Sequence, residues 1–187
     1  GGKNSTEFQA PAAIGEDTIA TNEKGTYAAN LEMAKSIDTF KQEPEDAKQL
    51  TKVATPGCDT IEKLTKFLDV PATRIVKSIL YIADDQKVLV LIRGDKQINE
   101  VKLGHILDAD EVHEANTADL KEITGSEKGG VGPVNADWAD KIIADETVKN
   151  LYNVVVGAGE TDYQFENANL DRDFKVDEFA DIRTANE

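Results

Sequence analysis

The chain of 187 residues has one cysteine, one tryptophan, one methionine and two histidines. The single cysteine, Cys58, excludes an internal disulfide and a cysteine-rich zinc cage, and it suits a reducing cytoplasm. His105 and His113 fall in a helical and a strand-like stretch without metal-ligand spacing, so both read as structural. No apolar run reaches the roughly 18 residues a spanning helix needs, so no membrane is expected as a partner. Gly1-Gly2-Lys3-Asn4-Ser5 lacks the apolar stretch of a signal peptide, and no methionine starts the chain, which reads as a piece of something longer. Ser126 lacks the Gly-x-Ser-x-Gly elbow, and Cys58 has no base near it in sequence. An enzyme made of these residues is expected to position and activate water, with no metal or cofactor of its own.

What is abundant is acid. The formal net charge of −15 argues, taken alone, against a nucleic-acid partner. The distribution changes that. From Lys52 to Gly104 there are nine bases against seven acids, a net of +2, which leaves −17 on the rest of the chain. A polyanion is therefore expected to meet the middle of the chain, although such charges also serve simply as a solvated surface.

Residues 1–30 are polar, with short strands conceivable at Glu7–Ala10 and Thr18–Ala20, and Tyr27–Ile37 has alanine-rich helical character. Lys41–Leu50 is charged and reads as a linker or surface segment. Beyond Thr55-Pro56-Gly57, Asp59 and Glu62 have capping-box spacing, and Ile61, Leu64 and Leu68 share a helical face. Val70-Pro71 opens a short helix carrying Arg74. Ser78–Ala83 and Val88–Ile92 are apolar runs separated by Asp84-Asp85-Gln86, a hairpin of two central strands. Arg93-Gly94-Asp95 turns the chain, Ile98, Val101 and Leu103 suggest a further strand or extended edge, and Glu111–Ala115 suggests an edge strand. Thr117 caps a helix to Ile123 that Gly125 ends. Lys141–Ala144, Asn153–Val156 and Phe179–Ile182 complete the strands. The predicted class is α+β, a mixed β-sheet with helices packed on it.

Three features are chemically suggestive. Lys77 stands where the Pro71 helix meets an apolar strand, so its ammonium can hold a phosphate or stabilise developing negative charge; a snorkelling surface lysine is the alternative. Gly129-Gly130-Val131-Gly132-Pro133 lets backbone N–H groups approach a ligand, but no Gly-Lys-Ser/Thr follows, so it is no P-loop, and read alone it is a flexible surface loop. Asp145 ends an apolar strand, where it suits an α-ammonium or, equally, caps the segment Glu146–Asn150. Ser78 directly follows Lys77, so in an extended stretch the two point to opposite faces.

Several stretches together resemble bacterial-type prolyl-tRNA synthetases. Gly1–Phe8, Gly15-Glu16-Asp17 and Tyr27-Ala28-Ala29-Asn30 are similar to the class II core ahead of its insertion. Thr55-Pro56, Val76-Lys77-Ser78, Leu91–Asp95, Asn99–Lys102, Gly132–Asn135, Gly157-Ala158, Asn169 and Arg172-Asp173 are similar to the insertion itself. The resemblance implies a cytoplasmic editing domain at 46–173, with 1–45 leading out of the synthetase core and 174–187 returning to it. It implies a deacylase that cleaves alanine from the 3′ end of proline tRNA, partnered by the rest of a homodimeric synthetase, in which alone ATP and magnesium act. By the resemblance Lys77, Gly129 and Asp145 are the catalytic positions, and Thr55, Gly130, Gly132, Pro133 and Gln164 bind substrate. Gln164 stands where the family has a histidine linked to selecting alanine, and glutamine is neither a cation nor a proton shuttle. Three rival readings are a non-catalytic tRNA-docking module, a free-standing trans-editing deacylase, which the core-like flank argues against, and a structural insertion.

Overall fold

The computed structural model describes residues 34–185; the expectations for residues 1–33 lie outside the described residues. Residues 35–50 form neither helix nor strand, so the described end of the expected Tyr27–Ile37 helix is not helical. The elements, in chain order, are β1 (Thr51–Ala54), α1 (Ile61–Leu68), a 3₁₀ turn (Ala72–Arg74), β2 (Val76–Ala83), β3 (Gln86–Arg93), α2 (Glu100–Leu107), β4 (Val112–Glu114), α3 (Thr117–Thr124), β5 (Lys141–Asp145), a 3₁₀ turn (Glu146–Val148), β6 (Val154–Gly157), β7 (Tyr163–Ala168) and β8 (Glu178–Ala180). One compact unit spans Ile37–Thr184. Among the described residues no helix is long and apolar enough to cross a membrane.

The β2–β3 hairpin is the centre. Its turn residues Asp84 and Asp85 both have positive φ, 45° and 76°, the pattern whose twist matches that of the flanking strands. The five-stranded sheet has the order β4-β2-β3-β5-β8, antiparallel from β4 to β3 and parallel from β3 to β8, which is the expected mixed sheet. A second sheet, β1-β7-β6, was not anticipated. Val76, Leu89, Leu91 and Ala144 of the large sheet and Val154 and Val156 of the small one share a core. Tyr81, Val88, Val90 and Ile143 pack on the opposite face with Leu103 of α2. Both faces of the hairpin are thus covered, as its continuous apolar runs require.

Three local expectations are corrected. Of the stretch Ile98–Leu103 only Ile98 is extended, in an antiparallel bridge to Arg183: Asn99 accepts from the N–H groups of Val101 and Lys102 and starts α2, which buries Leu103. The caps of α1 and α3 are Thr60 and Asn116, each one residue from Asp59 and Thr117. Lys41–Leu50 is more than a linker. Glu45 holds Arg74 at 2.7 Å, Gln42 exchanges hydrogen bonds with the backbone of Tyr152, and Asp38 grips the buried Arg93 guanidinium at 2.7 and 2.8 Å.

Candidate active site

One edge of β2 pairs with β3 over its whole length. The other edge is covered only at its ends, by β4 at Tyr81–Ala83 and by the bridge of Ile75 to Val155. A cavity of about 450 Å³ opens along the uncovered stretch. Ile61 and Leu64 of α1, Val76–Leu80, Leu120 of α3, Lys128, Gly129, Val131, Gly157 and Gln164 are among its lining residues. It is apolar for the most part, with a few polar groups converging on it, the usual make-up of a small-ligand site.

Lys77 lines this cavity and is half-buried. Its Nζ donates to the carbonyl of Lys96. Burial pushes the ammonium below its ordinary value of 10.5, and the nearby Asp95 carboxylate works against that. One anchored donor leaves a lysine ammonium two more, so Lys77 is a fixed cation able to meet an anion. The next side chain, Ser78, lies on the opposite face of β2, where its register partner is Leu91. Its Oγ is buried and has no hydrogen-bond partner among the described residues.

The glycine-rich loop is seated in the fold instead of lying flexible on the surface. Gly130 to Pro133 are buried, and the Gly130 carbonyl accepts from Gly159 N at 2.7 Å. A Cβ on Gly132 would stand 1.7 Å from the Gly157 carbonyl oxygen, so backbone packs directly on backbone there. Gly129 has φ +95°, and a Cβ on it would lie 2.9 Å from Asp59 Cα. The Gln164 amide, buried in β7, donates to the Gly129 carbonyl at 2.6 Å. At this position glutamine therefore works as a tie that fixes the loop against the second sheet.

Lys77, Gly129 and Gln164 are brought together on the cavity wall, whereas Gly130, Gly132 and Pro133 are not among its lining residues. Asp145 is not there, and its expected contact with an α-ammonium is corrected. Its carboxylate is fully buried and accepts from Thr147 N and Oγ1, Ile182 N and Arg183 Nη1, at 2.7 to 3.2 Å. Thr55 is also off the lining: it is buried in the turn before α1, its N–H donates to Asp162 O, and its Oγ1 has no partner among the described residues. Sequence reasoning missed Ser78, Gln97, Glu114 and Lys128 as lining residues. The adjacency of Ser78 to Lys77 and of Lys128 to Gly129 was a signal; nothing in the sequence brings Glu114 to this place.

The basic middle of the chain is largely neutralised. Six of its nine bases are ion-paired: Lys52, Lys63, Lys66, Arg74, Arg93 and Lys102. Burial pushes the Cys58 thiol up, away from thiolate chemistry. Among the described residues no group of His, Cys, Asp and Glu is placed to hold a metal ion.

A family model for the aminoacyl-tRNA editing domain matches residues 55–174. A proline-tRNA ligase of Lactobacillus helveticus is 95% identical over 187 residues, which is 100% of this chain and 33% of that protein. A proline-tRNA ligase of Levilactobacillus brevis is 50% identical over 183 residues, 98% of this chain and 32% of that protein. The chain thus spans about a third of the length of the curated relatives it matches. A solved structure of a candidate trans-editing enzyme for prolyl tRNA synthetase superposes with a TM-score of 0.59 at 20% identity, over 72% of this chain and 86% of that one. A hypothetical protein superposes at 0.58 with 21% identity, over 72% and 91%. At such identities the likeness concerns the fold, and the fold is the α+β one expected.

Proposed function

Because this chain belongs to the aminoacyl-tRNA editing domain family, we propose that it is the editing module of a proline-tRNA ligase and hydrolyses alanine esterified to the 3′ end of proline tRNA. The observation that carries the reading is the cavity at the open edge of β2, which Lys77 and the loop tied by Gln164 line together. The need for such a site is physical. A synthetic pocket shaped for proline gains only about 1–3 kcal/mol of discrimination per methylene, so a smaller amino acid slips through and a second site must remove it.

In this reading Lys77 holds the phosphate at the tRNA end, and the alanine methyl enters between Val131 and the α1 side chains. A pyrrolidine ring is refused because the wall is close-packed backbone: a Cβ on Gly129 would stand 2.9 Å from Asp59 Cα and one on Gly157 2.1 Å from the Val131 carbonyl oxygen. Water adds to the ester carbonyl, the tetrahedral intermediate collapses, and alanine leaves the ribose oxygen, which takes up the water's proton. The reaction needs no covalent nucleophile, metal or cofactor; ATP and magnesium belong to the rest of the ligase. The same reading takes 46–173 as the editing domain proper, within a cytoplasmic homodimeric ligase.

The test is release of alanine and of proline from charged proline tRNA. Wild type is expected to free alanine and spare proline. Lys77→Ala is expected to lose about 10²–10³-fold in rate with an unchanged circular dichroism spectrum. Equal release of both amino acids, or full activity of Lys77→Ala, would overturn the reading.

A further inference from the structure

Ser78 is one of the residues lining the cavity, and its hydroxyl, buried beside it, makes no hydrogen bond with any described residue. A polar atom in that condition costs stability, which a site tolerates where a ligand supplies the missing partner. The backbone of the same residue points to the same place. The Leu80 carbonyl accepts from Ala115 N across the outer edge of β2. By strand alternation the peptide groups of Ser78 face that edge too. At Ser78 the edge is open, between the bridge at Ile75 and the β4 pairing that begins at Tyr81. The Ser78 N–H therefore points at the cavity from the strand edge, and the Oγ of the same residue, buried without a partner among the described residues, can reach that edge by rotation about χ1.

Two neutral donors converging on a largely apolar space are suited to an oxygen that becomes negative during reaction. Lys77 leaves β2 on the other face and is anchored on Lys96, which fits a role at the phosphate and leaves the ester to Ser78. Resting on the deacylase reading above, we propose that Ser78 is a catalytic residue whose N–H and Oγ–H donate to the carbonyl oxygen of the aminoacyl ester. As water bonds to the carbonyl carbon, the C=O π pair moves onto that oxygen and Ser78 holds it. When the pair returns, the bond to the ribose oxygen breaks, and that oxygen departs with the water's proton. Ser78 forms no covalent bond and gives up no proton.

The experiment measures single-turnover deacylation of alanyl-tRNA by a ligase carrying this chain, with Ser78→Ala and Ser78→Thr, alongside thermal melting. Ser78→Ala is expected to slow the chemical step about tenfold or more while KM changes little, since one donor is lost and the backbone donor remains. Its melting temperature is expected to be unchanged or higher, because a partnerless buried hydroxyl is removed. Ser78→Thr keeps the donor and is expected to retain most of the rate. A wild-type rate for Ser78→Ala, or a slower rate accompanied by a lower melting temperature, overturns the proposal while leaving the deacylase reading in place. Absence of alanine release by the wild type overturns both.

Discussion

Asp145 and Lys77 stand two strands apart near one end of the same sheet, and they have opposite fates. Both are ionisable residues at the ends of apolar strands, flanking β3. Asp145 is fully buried and its two oxygens accept from three residues, Thr147, Ile182 and Arg183. Lys77 is half-buried, makes one hydrogen bond to a backbone carbonyl and faces an open cavity. Position at a strand end does not separate a structural charge from a working one. Satisfaction does: a group whose hydrogen-bonding capacity is used up within the fold holds the fold together, and one with capacity left over is available to a ligand.

The contrast can be broken most severely at Asp145. Asp145→Asn removes the countercharge 3.0 Å from the buried Arg183 and leaves Asp181 at 3.7 Å, and a loss of about 3 kcal/mol in urea unfolding is expected; an unchanged midpoint would remove the distinction. A smaller effect is expected at Gln164. Gln164→Ala cuts the tie to the Gly129 carbonyl, worth about 1–2 kcal/mol, so the loop should loosen and the kcat/KM preference for alanyl over prolyl ester should fall roughly tenfold. Preserved selectivity would mean that the backbone packing of Gly132 is enough. The smallest effect concerns pH. Lys77 is cationic below its depressed value, so activity that needs the cation is present below that point. It is lost as pH rises through a point under 10.5. After subtraction of spontaneous hydrolysis the alkaline limb should lie there, and Lys77→Arg should remove it from the accessible range.

The hairpin was legible because its information is local: two apolar runs and a two-residue turn of aspartates. β1 and β7 were not. Three of the four β1 residues are exposed, and β1 finds its partner across more than a hundred residues, Thr51 opposite Glu166, so no short-range period marks either strand. The failure at Ile98–Leu103 has a different cause: apolar spacing was weighed there without the capping value of Asn99. Asp145 shows a third limit. Its place at a strand end was read correctly, but its partners Ile182 and Arg183 return from far along the chain. Lys77 and the Gly129–Pro133 loop were singled out by their place in the chain, but their roles were reached only through resemblance. Gln164 departs from that resemblance, and its physical work, pinning the loop, emerges only when the second sheet is in view.

The clasp on Arg93 has a geometric corollary. Asp38, at the beginning of the compact unit, grips Arg93, while Thr184, at its end, donates to the Gln97 carbonyl, and Arg183 bridges Ile98. Incoming and outgoing chain are thus moored to one short stretch, residues 93–98. Strain introduced anywhere in that stretch would therefore loosen both ends of the unit together.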